Sequence, residues 1–342
     1  MKSGDSEAMS MTLTLPSMEN LMCEHDTSNI LVFSGRSNPQ LAAEMAKCLG
    51  TELGSVIIKT FSDGESYVQI QENVRGRDVF IVQSTCHPVN QNLMELLLMV
   101  DALKRASAKS ITAVMPYFGY ARQDRKTQGR EAISAKLVAD LISTSGTTRV
   151  VAMDLHTGQL QGFFNILTDH LYATPVLLEY IARKLSSSNL PSPVIVSPDA
   201  GGVERARVFA KKLNAPIAII DKRRSAHNVS EVYHIIGDVK NHTAILVDDM
   251  IDTAGTICAG AQLLKDHGAS HVLAMAAHPV LSGPAVERIA KSPIEEMIVT
   301  NSIPLSEAAQ ALPNLVQLSI APLMAEAIGR IHDHQSVSEM FE

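Results

Sequence analysis

The residues best equipped for chemistry lie at 244–256, AILVDDMIDTAGT, where an apolar run ends in two acids and a turn of small residues opens a helix. At the carboxyl end of a parallel strand, such a turn aims backbone N–H groups at a ligand from a helix N-terminus. Asp252, Thr253, Ala254, Gly255 and Thr256 together suit a phosphate monoester. Asp248 and Asp249, facing the same crevice, can accept hydrogen bonds from ribose hydroxyls or hold a divalent cation. The plainer reading, a βα turn with an acidic N-cap, leaves one acid and the T-x-G-T pattern without a use.

Four further polar clusters each follow an apolar run: FSDGE at 61–65, YARQDRK at 120–126, MDLH at 153–156 and DKRRSAHN at 221–228. Arg122, Gln123, Arg125 and Lys126 can hold polyphosphate and adenine edges, because Arg forks match phosphate oxygens; a solvated basic surface is the alternative. Asp154 and His156 can place an oxygen and an imidazole on one metal if the strand bends there, although Mg²⁺ prefers oxygen and a lone His is commonly structural. Asp199, in SPDAGG, begins a loop that can reach the same metal from the second half of the chain. Lys222 and Arg224, two apart, project to one side of an extended ribbon. That arrangement suits a clamp for phosphoryl transfer, which requires cations against developing charge and no covalent nucleophile; an exposed basic loop is the alternative.

To position these groups the chain needs βαβ units. From Ile30 onward, short β-rich runs alternate with helical patterns, predicting strands at 30–33, 79–83, 111–115, 150–153, 194–197, 217–220, 244–247 and 272–276 in a mainly parallel sheet. The halves also resemble each other. Residues 30–49 parallel 194–213 with Ser34 on Ser197, and 102–115 parallel 262–275 with Ala108 on Ala269, so an α/β domain is duplicated. Gln83 and Ser84 then stand where the second copy has Asp248 and Asp249, leaving one pentose site. The expected division is a flexible extension at 1–28, an N-terminal domain at 29–172 joined by 332–342, and a C-terminal domain at 173–331.

At 342 residues the chain has room for two such cores. A net charge of -7 argues against nucleic-acid or membrane-surface binding through bulk electrostatics. No apolar stretch approaches the roughly 20 residues of a membrane span. The first 28 residues hold one Lys, no Arg and five acids, unlike a secretory or transit peptide. Cys23, Cys48, Cys86 and Cys258 form no C-x-x-C pair, so neither a disulfide framework nor a zinc site is expected and the compartment reads as reducing.

In their order, FSDGE, RGRDVFIVQS, NLMELLLMVDALKRA, PYFGYARQDRK, AISAKLV, MDLH, QGFF, SPDAGG, DKRR and VDDMIDTAGT resemble the phosphate-activated class of ribose-phosphate pyrophosphokinases, from about Ile30 to Phe341. The resemblance implies two duplicated domains of type I phosphoribosyltransferase fold, each a mainly parallel sheet flanked by helices. It implies transfer of the β,γ-diphosphate of MgATP to O1 of ribose 5-phosphate in a soluble, cytoplasmic enzyme that feeds nucleotide synthesis. By the same likeness ATP lies between Phe61, Asp63, Gly64 and Glu65 and the Arg122–Gln123 pair, with contacts completed by a neighbouring subunit, while ribose 5-phosphate occupies 248–256. Lys222 and Arg224 stabilise the transition state, and Mg²⁺ is held by His156 and Asp199, with Asp154 and Asp169 also counted at the metal site. Asn165 stands where some members carry another acid, which removes a carboxylate metal role there. The family forms hexamers with an ADP or phosphate site between subunits; Arg75, Arg130, Ser336, Ser338 and Phe341 match it. Two rivals share the fold: a base phosphoribosyltransferase, which uses one domain, and a non-catalytic synthetase-associated subunit, which carries altered loops that this chain lacks.

Overall fold

The computed structural model describes residues 25–223 and 232–341. The first half runs β1 (Ile30–Ser34), α1 (Pro39–Cys48), β2 (Val56–Thr60), β3 (Ser66–Ile70), β4 (Asp78–Val82), α2 (Val89–Arg105), β5 (Ser110–Met115), α3 (Ser134–Ser145), β6 (Arg149–Met153), β7 (Leu167–Leu171) and α4 (Thr174–Ser187). Then come β8 (Pro193–Ser197), α5 (Val203–Leu213), β9 (Ile217–Arg223), β10 (Val232–Ile236), β11 (Thr243–Ile251), α6 (Gly255–Asp266) and β12 (His271–Pro279). The chain ends through α7 (Ala285–Lys291), β13 (Glu296–Thr300), α8 (Glu307–Gln310), β14 (Leu315–Leu318) and α9 (Ala321–His332).

Strands such as β4, DVFIV, and the first five residues of β11, TAILV, are buried along their length, as parallel strands covered on both faces must be. They assemble into a five-stranded parallel sheet, β1-β4-β5-β6-β7, and a seven-stranded sheet, β10-β9-β8-β11-β12-β13-β14, in which β10 alone runs antiparallel. Five strands of the second sheet repeat the first in order and register. Val82 pairs with Val114 as Val247 pairs with Met275, and Met153 pairs with Leu171 as Thr300 pairs with Leu318. The hairpins β2–β3 and β9–β10 occupy the same place in each copy.

Each half lends its last helix to the other. α4, after β7, packs on α5 of the second half, and α9, after β14, packs on α1 of the first. Pro175 and Pro322 start these two helices in matching positions. The chain therefore returns to the first half at α9, ahead of the expected crossing at 332. One apolar core, from Val32, Leu41 and Met45 to Phe209, Ile245 and Ile328, consequently runs through both halves and fixes one against the other.

The extension was expected to be flexible through residue 28, yet the His25 ring is buried against α9. Its Nδ1 lies 2.6 Å from Asp333 Oδ2 and its Nε2 3.1 Å from Glu326 Oε2. Burial lowers the affinity of this ring for a proton, but the two carboxylates outweigh it and its pKa is raised. The stabilisation from this raised pKa is therefore full below the unfolded value of about 6.5 and is lost as pH climbs through the folded one. A Cβ on Gly329 would meet the ring at 2.1 Å. Gly329→Ala, ordinarily favourable inside a helix, is expected to destabilise the fold by about 1–3 kcal/mol, read as a lower Tm, with the loss shrinking above neutral pH. A Tm that rises would show that His25 does not occupy this seat in solution.

Candidate active site

The acid pair sits in the cleft between the halves. β11 continues past the expected end at Val247 through both acids to Ile251, because Asp248, Met250 and Ile251 still pair with β12. Asp249 is buried, and its Oδ2 lies 2.6 Å from Nδ1 of His156, in the loop after β6 of the other half. A carboxylate only accepts, so Nδ1 carries the proton and a neutral His156 presents the Nε2 lone pair away from Asp249. Arg205, one turn into α5, reaches Oδ1 of Asp248 at 3.5 Å and Oδ1 of Asp249 at 3.6 Å.

This arrangement divides the charges. Burial raises the Asp248 carboxyl, and the neighbouring Asp249 raises it further. Burial also acts to raise Asp249, but the bond from His156 and the charge of Arg205 hold it well below the usual carboxylate range. His156 is raised by its bond to Asp249, with burial opposing.

Beyond the pair, the small-residue turn enters α6 through Ala254 at φ 57°, the left-handed region, with Thr253 and Thr256 exposed. Asp252 is ion-paired to Arg122 of the first half and accepts from the Ser282 hydroxyl. Residues expected to serve pentose phosphate and ATP thus meet in the unliganded cleft. Gln123 accepts from Ser134 Oγ at 2.6 Å.

The other expected residues are dispersed. Asp154, at φ 39°, accepts from the N–H of Ala173 at 2.7 Å, and its carbonyl lies 3.2 Å from Nε2 of the buried His278. Asp169 pairs with Arg149 within the sheet. Asp199 is exposed and accepts from the N–H of Gly202 at 2.9 Å. Among the described residues no three acids, His or Cys form a group able to hold a metal by themselves. A cation that arrives on substrate phosphates needs only one or two protein ligands, which His156 and Asp199 can supply. Asn165 donates to Asp140 at 3.2 Å.

Phe61, Asp63, Gly64 and Glu65 form the tip of the β2–β3 hairpin, closed by Phe61 N–H to Glu65 O at 2.8 Å. Phe61 is 52% exposed, and among the described residues no hydrogen bond or ion pair joins this tip to Arg122 or Gln123. Lys222 lies on β9, its backbone opposite Tyr233; Arg224 lies outside the described residues. At the C-terminus, Ser336 and Ser338 hydroxyls are 3.0 Å apart, and Phe341 packs edge-on to Tyr172, which stacks on His170. Nε2 of His170 accepts from Leu155 N–H at 3.0 Å, so a file of rings joins the tail to the His156 loop. Arg75 and Arg130 are exposed, and among the described residues no hydrogen bond or ion pair ties them to that tail.

Sequence reasoning missed Arg205, His170 and His278. The first had a signal: a basic residue one turn into the helix that follows SPDAGG. The two histidines had none, since an isolated His in an apolar run reads as core.

No helix of the described residues is long and apolar enough to cross a membrane. Residues 30–146 match the model of the N-terminal domain of ribose phosphate pyrophosphokinase, and 225–342 match the phosphoribosyl synthetase-associated domain. A ribose-phosphate pyrophosphokinase of Nostoc sp. is 59% identical over 317 residues, covering 92% of this chain and 94% of that one. Ribose-phosphate pyrophosphokinase 1 of Spinacia oleracea is 57% identical over 316 residues, covering 92% and 93%. The crystal structure of phosphoribosylpyrophosphate synthetase from Mycobacterium smegmatis superposes with a TM-score of 0.84 at 46% identity, covering 90% of this chain and 99% of that one. Relatives matched nearly end to end, and a cleft built from both halves, set aside a one-domain phosphoribosyltransferase: the chain belongs to the ribose-phosphate pyrophosphokinase family.

Proposed function

We propose that the chain transfers the β,γ-diphosphate of MgATP to O1 of ribose 5-phosphate, yielding 5-phosphoribosyl 1-diphosphate and AMP. The observation that carries this reading is the acid pair Asp248–Asp249, bridged by His156 from one half and Arg205 from the other beside a phosphate-sized turn. Asp248 and Asp249 accept the ribose hydroxyls, and Asp252, Thr253, Ala254, Gly255 and Thr256 enclose the 5-phosphate. O1 then attacks the β-phosphorus, the bond to the α,β-bridging oxygen breaks with AMP leaving, and the O1 proton passes to solvent. Arg122 leaves Asp252 to meet the polyphosphate, with Gln123 on the adenine edge. The exposed Phe61, beside Asp63, Gly64 and Glu65, completes a nucleotide site in a neighbouring subunit, which fits a homo-oligomer such as a hexamer.

Lys222 and Arg224 meet charge that develops on the transferring diphosphate. Mg²⁺ supplies charge neutralisation on the phosphates; His156 and Asp199 would hold it, with Asp154 and Asp169 behind them. Phosphate and ADP act as effectors through Arg75, Arg130, Ser336, Ser338 and Phe341, and the ring file to Leu155 offers them a route to the cleft. The N-terminal domain takes the ATP side and the C-terminal domain the pentose side, in a cytoplasmic protein.

AMP release from MgATP with and without ribose 5-phosphate tests the reading; AMP that does not depend on the pentose would refute it. Asp249→Asn is expected to raise the KM for ribose 5-phosphate by about 10–100-fold, the worth of a charged hydrogen bond, and to leave ATP binding within about threefold. Equal weakening of both substrates would overturn the division of roles.

A further inference from the structure

The duplicated halves imply a second cleft. Carrying the strand register from one copy to the other sends the phosphate turn at 252–256 onto 87–91, the His156 loop onto the segment from Ile303, and 118–122 onto 279–283. All three mates line one interdomain cavity of about 1130 Å³, with Arg122 and Asp252 at its border. The cavity is thus the pseudo-symmetric partner of the reaction site. Tyr120 and its mate Leu281 even share the left-handed backbone, at φ 66° and 46°.

Its chemistry has been replaced. The acids are now Gln83 and Ser84, which are buried and hydrogen-bonded, Ser84 to the carbonyl of Ser302 at 2.6 Å. The mate of His156 is Ile303, the mate of Arg122 is Gly283, and His-Pro-Val-Asn-Gln stands in place of the phosphate turn. Arg122 is the one Lys or Arg on the wall, and Asp252 already engages it. A phosphate or chelated metal has nothing left to bind. What remains is apolar surface, the rings of Tyr117 and Tyr120, and the amides of Asn90 and Gln91. Aromatic faces beside amide edges suit an uncharged, planar heterocycle with hydrogen-bonding edges.

We propose that this retired mate of the reaction site binds an uncharged nucleoside, and that its occupancy opposes substrate binding. The proposal rests on the assignment of the reaction site to 248–256 and His156. The coupling is geometric: Tyr120 donates to Asn90 Oδ1 across the cavity, and the same loop holds Arg122 on Asp252. A ligand against Tyr120 supports the loop where Arg122 and Asp252 occupy each other, the state that substrates must break.

The test is a calorimetric titration of adenosine into the full chain and into Leu305→Trp, which fills the cavity away from the catalytic residues, with AMP formation followed in the same preparations. Adenosine is expected to bind the parent, at least tenfold more weakly to Leu305→Trp, and several-fold more weakly to the parent saturated with ribose 5-phosphate. Turnover of Leu305→Trp without adenosine should stay within twofold. Should Leu305→Trp not fold, Val280→Phe reads the same wall. Failure of adenosine to bind the parent, or equal binding to parent and variant as at an adenine subsite for ATP, would overturn the proposal. Absence of AMP formation in the parent would instead sink the reaction assignment, while the titration still decides the cavity.

Discussion

Lys222→Ala lowers kcat by about a thousandfold and leaves ATP affinity within about threefold. The asymmetry follows from when the charge is needed. In diphosphate transfer, negative charge spreads over the migrating group only as the bond to the departing AMP loosens, so a cation from this strand contributes little to ground-state binding. Lys222 is placed for such a role by the backbone of β9, which runs parallel to β8, the strand that leads into the Asp199 loop. Single-turnover kinetics together with an ATP titration separate the two effects. A kcat within about tenfold of the parent would remove Lys222 from the transition state.

Arg205→Met is the second large effect. Arg205 stands between Asp248 and Asp249, and removing a cation from a largely buried cluster leaves charge without compensation, a loss of about 3–5 kcal/mol. The expected result is a fall of about 10²–10³ in kcat/KM for ribose 5-phosphate. The pH profile supplies the sign. Without the guanidinium, both carboxyls hold protons more tightly, so their pKa values rise and the acid limb of the profile moves to higher pH. Arg205→Lys, which keeps the charge, should restore much of the limb's position. An unmoved limb with a reduced rate would mean that Arg205 only packs.

Much of this was legible beforehand because buried parallel strands write themselves as continuous apolar runs, and all eight predicted strands are present within the two sheets. The strands that escaped notice are the short or half-exposed ones at sheet edges and in the first hairpin, such as LTDHL in β7 and LVQL in β14. There, polar residues interrupt the run, and pairing with a neighbour supplies what local pattern does not. The site divided in the same way. The acids and the phosphate turn were visible because they are contiguous in sequence. The His156–Asp249 contact, the Arg122–Asp252 pair and the exchange of α4 and α9 depend on how two copies pack face to face, which no local pattern encodes.

The fate of the β-phosphorus tests the central claim most directly. Incubating the protein with MgATP and ribose 5-phosphate and following the phosphorus resonances should show AMP appearing in step with one new diphosphate attached at C1 of the sugar. Appearance of ADP with a singly phosphorylated C1, or of AMP with free diphosphate and unchanged ribose 5-phosphate, would contradict the account.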